Sequence, residues 1–163
     1  MACWPLVILV HMILKNRNVP SQRIHHSALL MYSANQMYDL VNDVVRYPQF
    51  LSGCAKVEVL DASPECMLVR MCLARAGVSY HLVTRNILQP GRRIDLHLHE
   101  GPFKSFNGSW VFSPLRTDAC KVDMELEFAM SGKLRFKAMA VLFNQVATSM
   151  VDAFCKRADV VYG

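Results

Sequence analysis

At 163 residues the chain is sized for one domain, and a 53% hydrophobic composition is ample for a core or for a core that encloses a cavity. A net charge of +5 and a pI near 9.0 favour anionic partners such as RNA or an acidic membrane surface. The six cysteines, at positions 3, 54, 66, 72, 120 and 155, form no C-x-x-C pair and no clustered ligand spacing, which argues for free thiols in a reducing cytosol over a disulfide framework.

Residues 1 to 20 stand apart. MACWPLVILVHMIL is apolar but for His11, yet it is shorter than the ~18 to 20 residues of a membrane-spanning helix. Lys15 and Arg17 follow the apolar run, whereas a secretory signal carries its charge ahead of it. The stretch reads as a disordered leader, a peripheral anchor, or upstream sequence included by an incorrect start, and the folded domain is expected over residues 21 to 163.

RIHHSALLM, from Arg23 to Met31, has the makings of a first strand. Ser33-Ala-Asn-Gln36 is a capping box, and Met37, Leu40, Val41 and Val44 give the helix after it one apolar stripe. That helix must break near Tyr47, because Pro48 disfavours helical geometry in the residue before it, although Pro48 can itself begin another short helical turn. Beyond Gly53, turn signals recur roughly every twelve to fourteen residues at Pro64, Gly77, Pro90-Gly91, Gly101-Pro102, Pro114 with Asp118, and Ser131-Gly132. They delimit strand-length segments near 56 to 60, 66 to 74, 78 to 88, 93 to 99, 105 to 112 and 120 to 128. The last is the clearest: Cys120, Val122, Met124, Leu126 and Phe128 alternate with Lys121, Asp123, Glu125 and Glu127, a strand with one wet face. Six strands joined by short turns make an antiparallel meander.

From about Lys133 to Tyr162 there is neither Gly nor Pro. Phe136, Met139, Phe143, Val146, Met150, Phe154 and Val161 recur at helical spacing, opposite Gln145, Thr148, Ser149, Asp152 and Lys156. A sheet with one apolar face and one long amphipathic helix each bury what the other exposes. The expected architecture is α+β, one strand, two short helices, six strands and one long helix.

Chemistry-bearing motifs are sparse. His97 and His99 share a strand face with His81 on the neighbouring strand, so a three-histidine metal site is conceivable. Their alternation with Ile94, Leu96 and Leu98 turns them away from the apolar face, and surface histidines with no metal are the expectation. The acids at 123, 125 and 127 fall on the wet face, and no nucleophile, base and orienting group assemble; there is no phosphate-binding glycine loop and no H-E-x-x-H.

The stretches SALLMYSANQMYDLVNDVVRYPQFL at 27 to 51, Thr84-Arg85-Asn86, GPFK at 101 to 104, Trp110 with Phe112, DACKV at 118 to 122, FNQVA at 143 to 147 and MVDAF at 150 to 154 resemble one family over nearly the whole chain. It is the RatA and coenzyme Q-binding branch of the START-like, polyketide cyclase-related helix-grip proteins. The resemblance implies a curved sheet of about seven strands gripping the C-terminal helix, with a hydrophobic cavity between them. It also implies a non-catalytic protein of one of two kinds. The first binds ubiquinone or a related polyprenyl lipid and supports respiration; the second is a ribosome-association toxin that binds the large subunit and blocks subunit joining. A cyclase or aromatase is a remote third. No cofactor is required beyond a bound quinone or lipid, the partners are that ligand, the large ribosomal subunit or a membrane surface, and no DNA is expected. The location implied is cytoplasmic or peripheral on the inner face of the membrane.

Under the ligand reading, cavity candidates are Phe106, Trp110, Phe112, Phe136, Met139, Phe143, Val146, Met150 and Phe154, with Gly108 leaving room among the strand aromatics. Tyr47, Pro48, Phe50, Leu51, Pro102 and Phe103 are candidates for a mouth or a membrane contact, or they pack across the open end of the sheet. Arg92, Arg93, Lys104, Lys133, Arg135 and Lys137 are the candidate contacts to RNA phosphates under the ribosome reading.

Overall fold

The computed structural model describes residues 21–130 and 137–163. Its elements follow the expected order: β1 (Gln22–Leu30), α1 (Ala34–Asn42), a 3-10 turn (Val44–Gln49), β2 (Cys54–Ala62), β3 (Cys66–Arg75), β4 (Val78–Gln89), β5 (Arg93–Glu100), β6 (Phe103–Arg116), β7 (Ala119–Met130) and α2 (Lys137–Tyr162). The leader, and the start of the long helix expected at 133 to 136, lie outside the described residues.

The capping box forms as the residue types require. The Gln36 backbone N–H donates to Ser33 Oγ at 3.2 Å, and the Ser33 N–H donates to Gln36 Oε1 at 2.8 Å. Met37, Leu40, Val41 and Val44 are all buried. Pro48 sits inside the 3-10 turn, where the chain tightens after the α-helix has already ended at Asn42. Beneath that turn, buried Tyr47 donates its hydroxyl to the Val41 carbonyl, which lashes the turn to α1.

The seven strands form one antiparallel sheet in the order β1-β7-β6-β5-β4-β3-β2. Strands β2 to β7 are the expected meander, and β1 returns to pair with β7 in register Ile24↔Leu126. Register shifts at Cys54/Lys56, Val59/Asp61, Val83/Thr84, Phe103/Ser105 and Pro114/Arg116 bend the sheet, because each extra residue kinks its strand and increases the local twist. On β7 the inward set Cys120, Val122, Met124, Leu126 and Phe128 is buried at 3% exposure or less. The outward acids bind cations instead: Glu125 pairs with Arg23, and Asp123 with Lys121 and His25.

Helix α2 packs against β1, β3, β4 and α1. Its buried face is Leu142, Phe143, Val146, Ala147, Val151, Phe154 and Ala158, a stripe slightly rotated from the expected one, so that Met139 and Met150 are only half-buried. Val161 is a correction. It is 46% exposed, since the last fully buried position of the helix is Ala158, about one turn earlier. Hydroxyls pin both ends of the helix: Tyr80 donates to the Met139 carbonyl at 3.3 Å, Tyr162 to the Gln36 carbonyl at 3.0 Å, and Tyr32 to Asp159 Oδ1 at 2.7 Å. Cys54, Cys66, Cys72, Cys120 and Cys155 are free thiols.

Candidate functional site

Between the concave face of the sheet and α2 lies a cavity of about 60 Å³. Among the candidates, Phe106, Trp110, Phe143, Val146 and Met150 line it. Three other candidates belong to solid packing. Phe112 meets Tyr38 edge-on at 5.7 Å, and Phe154 meets Tyr47, Phe50 and Trp110 at 5.1 to 5.2 Å. Met139 sits in the first turn of α2, beside Tyr80. Phe136 is outside the described residues. The room expected at Gly108 is a further correction: a Cβ there would stand 2.5 Å from Leu126 and 3.2 Å from Leu96, so leucines of the flanking strands already occupy that space.

The mouth candidates divide in the same way. Tyr47, Leu51 and Phe103 are at most 8% exposed, which removes them from any membrane contact. Tyr47 forms part of the cavity wall, and Phe103 packs on Phe143 at 5.0 Å, Phe106 at 5.4 Å and Phe128 at 5.9 Å. Phe50 is half-buried under the Arg157 guanidinium, 5.3 Å from its ring centre. Only Pro48 among the six is exposed, with Pro102 half-buried. The aromatic side chains close the end of the sheet because their area is worth more in the core than in water.

Three lining residues carry polar groups that sequence reasoning did not place: Asn42 at the end of α1, and Thr84 and Asn86 on β4. Thr84 and Asn86 are 9% and 5% exposed, and the Thr84 hydroxyl donates to Asn86 Oδ1 at 2.8 Å. Asn42 Oδ1 is buried without a hydrogen-bond partner among the described residues. A signal was available on β4. Tyr80, Leu82, Thr84 and Asn86 share one face by period two, so two polar residues continue an apolar inward row. The remaining wall is aliphatic or aromatic, with no carboxylate, imidazole, ammonium or thiol among the described lining residues. Tyr47 is its one ionisable group, and burial pushes that phenol far above its ordinary range, so it stays protonated.

Among the described residues the basic candidates do not form one patch. Arg93 is spent on Asp95, its Nε donating to both carboxylate oxygens at 2.8 and 2.9 Å, a pairing that raises the guanidinium's pKa. Arg92 is exposed, and its carbonyl accepts from the Phe112 N–H. Lys104 is exposed eight residues away along that same strand, roughly 26 Å at 3.3 Å per residue. Lys104 follows Phe103, whose partner is Met130 at the end of β7, and exposed Lys137 opens α2 at the same end through the Tyr80–Met139 bond. Lys133 and Arg135 lie outside the described residues. His81, His97 and His99 are exposed on the outer face of the sheet.

The chain is similar to known proteins in sequence and in fold. The family model described as "Polyketide cyclase / dehydrase and lipid transport" matches residues 30–155. A ribosome association toxin, RatA, of Vibrio cholerae is 44% identical over 142 residues, covering 87% of this chain and 99% of the relative. A mitochondrial coenzyme Q-binding protein homologue of Xenopus laevis is 30% identical over 149 residues, 88% of this chain and 61% of that protein. Among solved structures, the Zhui aromatase/cyclase of a Streptomyces species superposes with a TM-score of 0.75 at 17% identity, covering 86% of this chain and 94% of that one. That likeness concerns the fold.

Proposed function

This chain belongs to the polyketide cyclase / dehydrase and lipid transport family, and we propose that within it the protein acts by binding, as a ribosome-associated inhibitor of translation. One observation carries the reading: the 44% identity to a ribosome association toxin extends over essentially all of that relative, whereas the coenzyme Q-binding homologue is matched at 30% over 61% of its length. A cavity wall without an acid or base at neutral pH among the described residues supports binding over catalysis. The contact surface is the end of the molecule that carries Lys104 and Lys137, where lysines reach phosphates without disturbing the core. The large subunit is the partner and the cytoplasm the place of action.

The test is a sucrose gradient of ribosomes from cells that express the protein. Free subunits should accumulate at the expense of joined ribosomes, and a Lys104→Glu, Lys137→Glu variant should restore the normal profile. An unaltered profile at high expression would overturn the reading.

The apolar cavity favours a second reading, in which the protein binds a hydrophobic molecule such as ubiquinone or another polyprenyl lipid. Size weighs against a large ligand in this conformation. The cavity's 60 Å³ is far below the about 300–1,000 Å³ of typical ligand pockets, so a polyprenyl quinone must displace half-buried side chains such as Met71, Met150 and Leu96. Quinone in organic extracts of the purified protein, absent from a mock purification, is the observation that would raise this reading above the first.

A further inference from the structure

Asn42 from α1, and Thr84 and Asn86 from β4, bring amide and hydroxyl groups to the lining of an otherwise apolar cavity. Buried polar atoms ordinarily find a partner, because leaving one bare forfeits its hydration without return. Thr84 and Asn86 satisfy each other in part: the hydroxyl proton goes to Asn86 Oδ1, which leaves the Asn86 NH₂ as the donor end that Thr84 does not engage. Asn42 Oδ1 has no partner among the described residues although water does not reach it. The cavity lining therefore offers an acceptor that needs a donor, and elsewhere an amide NH₂ that can donate.

We propose that this cavity is a binding site for an apolar molecule bearing one alcohol or phenol hydroxyl, which donates to Asn42 Oδ1. A hydroxyl both donates and accepts, so it answers either orientation of the Asn42 amide, whereas a ketone, an ether or an oxidised quinone can only accept. The hydrocarbon part of the ligand lies against Phe106, Trp110, Phe143 and Met150. Met71 and Met150, half-buried and unbranched, yield as the ligand enters. The proposal rests on the hydrophobic-ligand reading and is independent of ribosome association.

Trp110 reports on the cavity directly: it lines the wall at 2% exposure, and Trp4 is the chain's only other tryptophan. In the full chain carrying Trp4→Phe, fluorescence titrations with 1-octanol and with its isomer heptyl methyl ether compare two molecules of equal composition, of which only the alcohol donates. The alcohol should bind roughly tenfold more tightly. Asn42→Leu should bring the ratio near one without weakening the ether, and Asn42→Ala provides the same comparison should Asn42→Leu fail to fold; Thr84→Val with Asn86→Leu removes only a donor that both isomers can accept from and should leave the ratio in place. An equal affinity for the isomers, or a preference unchanged in a folded Asn42 variant, would overturn the hydroxyl assignment and leave the hydrophobic-ligand reading standing. Failure of both isomers to bind would overturn the site itself and leave a packing gap filled by water.

Discussion

Phe154→Ala should be among the most damaging single substitutions in the chain. Phe154 is 1% exposed and meets Tyr47, Phe50 and Trp110 edge-on with ring centres 5.1 to 5.2 Å away, so one side chain joins α2 to the 3-10 turn and to β6. Truncating a core phenylalanine costs about 3–5 kcal/mol, and edge-on pairs add about 0.5–1.5 kcal/mol each beyond buried area. The contributions overlap, and a loss of about 4–5 kcal/mol is expected. At about 2–4 °C per kcal/mol for a domain of this size, that is a fall in Tm of roughly 8–20 °C. Urea denaturation followed by circular dichroism measures it, with the midpoint falling and the slope retained. Val160→Ala is the control: at 75% exposure it should change stability by no more than about 0.5 kcal/mol. A loss below about 1 kcal/mol for Phe154→Ala would mean that the sheet does not grip the helix through this cluster.

Ser33→Ala removes one half of the capping box and should cost about 1 kcal/mol by the same denaturation measurement. Stability should fall as pH rises from about 9 towards about 11. Burial first, and then the neighbouring Cys72, push the Cys54 thiol up to about 11 from an ordinary value of 9.0, so over that interval the unfolded chain releases a proton that the folded chain keeps. Tyr47 and Tyr80, raised by burial, act in the same direction at higher pH; a stability that stays flat up to pH 11 in Tm measurements would contradict this. Arg93→Ala should leave ribosome binding unchanged in co-sedimentation, because Asp95 already holds that guanidinium, whereas Lys104→Glu should weaken it and flatten its salt dependence.

Much of the fold was legible because it is encoded locally. The Ser33–Gln36 box, the period-two row from Cys120 to Phe128 and the long helix each declare themselves within a few residues, and the turn signals divide the meander. The pairing of β1 with β7 joins residues about a hundred positions apart, and nothing local specifies it. The site was legible only in part. Aromatic side chains at core spacing look alike whether they line a space or fill one, so Phe106 and Phe143 could not be told from Phe112 and Phe154. Gly108 invited the inference of a gap, yet the structure fills it with Leu96 and Leu126 from the flanking strands. Apolar loop residues such as Leu51 and Phe103 suggested a mouth but fold inward, since the open end of a curved sheet needs covering. Thr84 and Asn86 were visible as a break in the inward row of β4 and gain meaning only once Asn42, some forty residues earlier, is found lining the same cavity.

The most direct test of ribosome association is sedimentation of the purified chain with separated large and small ribosomal subunits at low and high salt. Co-sedimentation with the large subunit alone, lost at high salt, is the predicted result. A chain that stays at the top of the gradient with both subunits at low salt would contradict the account.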